Sequence, residues 1–72
     1  MFIKLHGVID NNRVIVNVNH IEAIQEIKMG SKYYKFHTES GAKTVIGISG
    51  EPLLIKESIT QIEHLLQKTG NI

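Results

Sequence analysis

Thr44-Val45-Ile46, Gly50-Glu51-Pro52 and Leu53-Leu54-Ile55-Lys56-Glu57-Ser58 follow one another through the last third of the chain, and their reading decides the fold. A β-branched triplet, a Gly/Pro turn and a second apolar run describe two strands joined by a short connection. Ser58 then precedes Gln61 by three residues, the spacing of a capping box, in which each side chain accepts from the other residue's backbone N–H. Ile59, Ile62, Leu65 and Leu66 make one apolar stripe at helical spacing, and Gly70 suits a C-terminal cap. Strand, turn, strand and capped helix thus form one unit.

Working towards the N-terminus, Arg13 to Val18 alternates, with Val14, Val16 and Val18 on one face and Ile15 and Asn17 on the other. Phe2 to Leu5 is a short strand, and Asp10-Asn11-Asn12 between them is a turn, so the two strands form a hairpin. Asn19 to Ile27 fits two readings. Ile21, Ile24 and Ile27 suit a helical face capped by Asn17 or Asn19, but a turn followed by a strand suits the short length better. Gly30-Ser31 reads as a turn, Tyr33 to Thr38 as an alternating strand, and Glu39-Ser40-Gly41 as the turn back into Lys43 to Ile48. The expected fold is α+β: a small curved antiparallel sheet of about five to six short strands, over about 2–56, covered by one C-terminal helix over about 58–69. Residues 1–72 read as a single domain, without linker, repeat or low-complexity tract.

Composition narrows the function. A chain of 72 residues buries only about 60% of its unfolded surface, so tight packing or self-association must supply the remaining stability. There is no cysteine, and therefore neither a disulfide framework nor a thiolate metal site. The net charge of +1 creates no strong field towards nucleic acid or anionic lipid. Met1-Phe2-Ile3-Lys4-Leu5-His6 lacks the long apolar run of a signal peptide, and no membrane span follows. These features point to a cytoplasmic protein without membrane insertion.

Catalytic chemistry is sparse. His6, His20, His37 and His64 lie in different elements, and none forms a ligand-spaced pair. In His20-Ile21-Glu22 the glutamate is one position too late for a zincin helix, and Ile24 stands where the second histidine belongs. Glu22, Glu26, Glu57 and Glu63 are scattered, and the glycines read as turns or caps rather than a phosphate loop. The reading is a non-enzyme with no metal and no cofactor.

One constellation stands apart. Lys28, Lys32, Tyr33, Tyr34, Lys35, Phe36 and Lys43 gather four of the eight cationic residues and three of the four aromatic ones. On a hairpin, Tyr33, Lys35 and His37 would share one face and Tyr34 and Phe36 the other. Interleaved basic and aromatic side chains can track phosphates and stack on bases. Lysines also keep a sheet edge from pairing, and tyrosine is enriched at protein interfaces. With so small a net charge, edge protection or a protein interface is the stronger reading, and these residues are the expected partner-binding surface.

Four pieces in order are similar to the small flagellar and swarming-motility family known as FlbD or SwrD: Phe2-Ile3-Lys4-Leu5-His6, Val16-Asn17-Val18-Asn19-His20-Ile21-Glu22, Thr44-Val45-Ile46 and Ile55-Lys56-Glu57-Ser58. Where that family has a Leu-Asn-Gly turn, this chain has Asp10-Asn11-Asn12, and the longer stretch from Glu26 to Lys43 replaces a short Thr-Pro-Asp segment. The resemblance implies a small accessory protein acting through contacts, with no catalytic residues to carry over. Short chains with such an inserted hairpin equally fit a phage or mobile-element origin. Ile21-Glu22-Ala23-Ile24 and Ser58 to Leu66 also resemble the DNA-binding LytTR domain, which implies an alternative role as a nucleic-acid-binding regulator through 28–43. Arg13 is the chain's one arginine, however, and arginine makes the commonest specific base contact. The expectation is a regulatory or adaptor protein with a protein partner, self-associating through sheet edges.

Overall fold

The computed structural model describes residues 1–8 and 12–68. Among them are five strands, β1 (Phe2–His6), β2 (Arg13–Asn17), β3 (Ile21–Glu26), β4 (Thr44–Ile48) and β5 (Glu51–Ile55), with two helices, α1 (Tyr34–Ser40) and α2 (Ile59–Lys68). The strands divide into two antiparallel sheets, β1-β2 and β3-β4-β5, rather than one continuous sheet. A single bridge, Gly7 with Ile55, joins them, so the spatial order is 2-1-5-4-3 with a seam between β1 and β5. The expected turn at Asp10-Asn11 and the cap at Gly70 lie outside the described residues.

The hairpin β1-β2 follows the valine alternation. Val16 is buried opposite Ile3, and Val14 packs beside Leu5, whereas Ile15 points outward. The segment after it is one 3-10 turn, Val18–His20, and then β3. The Asn17 side chain caps that turn by accepting from the Asn19 N–H at 3.0 Å. Between β4 and β5 the loop is Ser49-Gly50, both at positive φ (53° and 79°), the backbone of a two-residue turn that matches strand twist. Glu51 and Pro52 therefore already belong to β5, opposite Ile48 and Gly47. Among the described residues the other edge of β5 is met only at Leu54 and Ile55, so Pro52 withholds no ladder hydrogen bond there.

The main core lies between α2 and the inner faces of both sheets. Leu5, Ile46, Ile55 and Ile62 are fully buried in it, with Ile3, Val16 and Leu66 around them. The capping box forms as expected: the Ser58 N–H donates to Gln61 Oε1 at 2.7 Å, and the Gln61 N–H donates to Ser58 Oγ at 3.2 Å.

One element departs from expectation. Tyr33 to Thr38 is not a strand, and there is no hairpin over 28–43; the segment carries α1. Tyr33, Tyr34, Phe36 and His37 stand at i, i+1, i+3 and i+4, so they share one side of a helix while Lys32, Lys35 and Thr38 face water. Alternation over so few residues is compatible with either period, and burial chose the helical one. The Ser31 hydroxyl accepts from the Tyr33 N–H at 3.1 Å before the helix. Gly41, at φ 78°, ends it in the left-handed conformation that glycine adopts without strain, its N–H donating to the His37 carbonyl. Helix α1 covers the outer face of the three-stranded sheet, where Tyr33, Tyr34 and Phe36 pack on a second small core of Ile27, Ala42 and Val45. Strand β4 is thus buried on both faces, which suits its uninterrupted apolar run.

Candidate functional site

The densest polar chemistry lies at the seam. After Ile55 the chain leaves the sheet for α2, and Glu57 is the residue that turns the corner. The Lys56 N–H donates to the His6 carbonyl at 2.8 Å, continuing the ladder one step beyond the bridge. The next ladder position is taken by a side chain, since the His6 N–H donates to Glu57 Oε1 at 2.8 Å. His6 Nδ1 lies 2.6 Å from Glu57 Oε2, so a proton on that nitrogen donates to the carboxylate. The Glu57 carbonyl in turn accepts from the hydroxyl of Thr44, itself fully buried, at 2.7 Å. Burial alone would raise the Glu57 pKa, but hydrogen bonds from the His6 ring and backbone, with its attraction, outweigh that and hold it below the ordinary value. Both carboxylate oxygens are thereby engaged in closing the seam.

This explains the motif residues physically. His6, Thr44, Glu57 and Ser58 come from three of the four sequence pieces quoted above, and they meet at one corner of the fold. The fourth piece is tied in by Asn17 and by Glu22, whose Oε1 accepts from the Gly50 N–H at 2.7 Å across to the β4-β5 turn. Sequence reasoning found these residues as a pattern but not as a cluster, because His6 and Glu57 are 51 positions apart. The only local signal was a carboxylate between the last strand and a helix cap.

Open grooves flank the seam. The larger, about 510 Å³, is lined by Lys4 of β1, by Glu57 and Ser58, and by Thr60, Gln61 and Leu65 of α2. A second, about 280 Å³, is lined by His6, Lys43, Lys56 and Gln61. Among the described residues, no three His, Asp or Glu side chains converge as metal ligands would.

The expected partner-binding residues do not form one surface. Lys28 is exposed in the loop before α1 and lies 3.7 Å from Glu26. Tyr33, Tyr34 and Phe36 are half-buried in the second core, with the Lys32 and Lys35 ammonium groups 5.2 Å from the Tyr33 and Phe36 ring centres. Lys32 and Tyr33 border a groove of about 420 Å³ on that face, together with Glu22 and Pro52. Lys43 lies elsewhere, at the seam beside His6. The outward ring-and-cation stripe expected of a hairpin is therefore replaced by rings packed inward and lysines lying over them.

Besides Met29 in the loop before α1, exposed apolar side chains lie on the other sheet. Phe2 (62% exposed) and Ile15 (67%) stand diagonally on the outer face of β1-β2. The edges of that sheet can be read from its ladder. Gly7 donates to the Asn12 carbonyl and Val18 to that of Met1, so hydrogen-bonded pairs fall at 1/18, 3/16, 5/14 and 7/12. The backbone groups of Arg13, Ile15 and Asn17 consequently point away from β1, and those of Phe2, Lys4 and His6 point away from β2. No helix is long and apolar enough to cross a membrane among the described residues. No protein-family profile, curated protein or solved structure matches this chain.

Proposed function

We propose that this chain is a small non-enzymatic accessory or regulatory protein, of motility or of phage or mobile-element origin, working in the cytoplasm through protein–protein contacts and self-associating through the edge of β2. The observation that carries the reading is that edge: outward N–H and C=O groups at Arg13 and Ile15 and the outward N–H of Asn17, beside the exposed Ile15 and Phe2 side chains. Antiparallel pairing of two copies about Ile15 sets Arg13 opposite Asn17 of the second copy, so no like charges meet, and it joins the two apolar stripes. The other sheet's outer strand is protected by comparison. β3 carries Glu22 and Glu26 and is bulged between Ile21 and Ala23, features that discourage edge pairing. The engagement of His6, Thr44, Glu57 and Ser58 with backbone groups is what a scaffold role for the shared motifs requires.

Light scattering over a concentration series tests this. The expected result is a dimer that Ile15→Lys converts to a monomer with unchanged circular dichroism, because the substitution sets two cations opposite each other at an exposed site. A monomer at every concentration would overturn it.

A further inference from the structure

We infer that the groove between β1 and α2 is a receptor for one extended peptide segment of a partner protein, added to the sheet as a strand beside Phe2 and Lys4; this rests on the reading that the chain acts through protein contacts. The seam shows why a strand is missing there. The Gly7/Ile55 bridge and the Lys56-to-His6 hydrogen bond set an antiparallel register in which Ser58 would face Lys4 and Thr60 would face Phe2. Both residues have instead left the sheet, Ser58 as the cap and Thr60 in the first turn of α2. Among the described residues, then, no segment occupies the line along which the sheet would continue past Glu57. What fills it is the open groove of about 510 Å³, a size in the ordinary range of about 300–1,000 Å³ for binding sites.

Three features select the occupant. The ladder parity points the N–H and C=O of Phe2 and Lys4 into this slot, and among the described residues nothing pairs with them. An exposed edge of this sort takes an extended peptide through main-chain hydrogen bonds, with alternate side chains conferring specificity. The helix wall selects against a second copy of the whole fold, which would bring its own α2 against the α2 that lines this groove. Charge completes the description. Lys4 has no acidic partner among the described residues, while the one carboxylate lining the groove, Glu57, is held by His6. A peptide residue directly opposite Lys4 shares its outward face, and its two neighbours turn inward towards Leu65. The segment that fits has an acidic residue flanked by apolar ones.

The probe is an octapeptide of alternating glutamate and valine, with the lysine–valine counterpart as control, titrated into the full chain and followed by amide NMR. Binding of the glutamate peptide should slow hydrogen exchange at the Phe2 and Lys4 N–H groups and leave Arg13, Ile15 and Asn17 unchanged. Lys4→Glu should weaken the glutamate peptide about five- to tenfold and reverse the preference in favour of the lysine peptide. Thr60→Trp, at an exposed position lining the groove, should block both. Binding of neither peptide, protection at the β2 edge instead, or indifference to Lys4→Glu would each overturn the assignment. Dimerisation through Ile15 is measured separately, so a failed peptide site with an intact dimer removes this inference alone.

Discussion

Replacing Glu57 by glutamine keeps the shape of the seam and removes its charge. The carboxylate accepts two hydrogen bonds, from the His6 backbone N–H at 2.8 Å and the His6 ring at 2.6 Å. Hydrogen bonds to a charged group contribute about 1.5–3 kcal/mol each when well shielded. Here the Glu57 side chain is 16% exposed but that of His6 is 45% exposed, so the ring bond is partly screened and falls towards the 0–1 kcal/mol of a surface pair. Glutamine still accepts from the backbone N–H, which leaves an expected net cost of about 1–2 kcal/mol at neutral pH. For a chain of this size that lowers Tm by about 5–15 °C. The pH dependence has a defined sign. Because the folded-state pKa of Glu57 lies below its ordinary value of 4.5, its contribution is fully present above that value and is lost as pH falls through the lowered one. Thermal denaturation of both proteins followed by circular dichroism from neutral to strongly acid pH should show curves far apart at pH 7 that converge in acid. A Glu57→Gln variant as stable as the parent at pH 7, or a gap that persists undiminished in acid, would refute the claim that an ionised carboxylate closes the seam.

Other expectations follow from single contacts. Thr44→Val keeps the volume of a fully buried side chain but strands the Glu57 carbonyl, and urea denaturation should show a loss of about 1–3 kcal/mol. Gly41→Ala meets no steric obstacle, yet at φ 78° it should cost about 1–2 kcal/mol, with Gly41→Asn costing less; equal stability of all three would speak against the end of α1 described above. For the Lys32→Glu, Lys35→Glu double variant, anisotropy with mixed-sequence single-stranded and duplex nucleic acid at low salt should match the parent, since the adjoining rings are packed inward. Steeply salt-dependent binding by the parent, abolished in the variant, would favour the nucleic-acid-binding alternative.

Local order was legible wherever the pattern was strong and the residues responsible were neighbours. The Ser58–Gln61 box and the Ile59-Ile62-Leu66 stripe specify α2 within a few positions, and the valines at 14, 16 and 18 specify which face of β2 turns inward. The short turn before β3 followed from a length marginal for a helix, whereas the asparagine that caps it, Asn17, was legible only as the cap of the helical alternative. Tyr33 to Thr38 was misread as a strand, with Glu39-Ser40-Gly41 as its turn, because two periods fit so few residues. Only the presence of Ile27, Ala42 and Val45 on the outer face of the sheet, a fact of tertiary packing, made the helix the arrangement that buries three rings. The seam was illegible for a different reason. His6 and Glu57 are distant in sequence, and their meeting depends on where β5 ends relative to β1, which follows from the register of both sheets. Elements whose causes are local, namely caps, stripes and alternation, could thus be read from the chain itself. Which strand edges stay open, and what the carboxylate at the corner holds, emerged only in three dimensions, because hydrogen-bond partners across a sheet are set by register and not by neighbours in the chain.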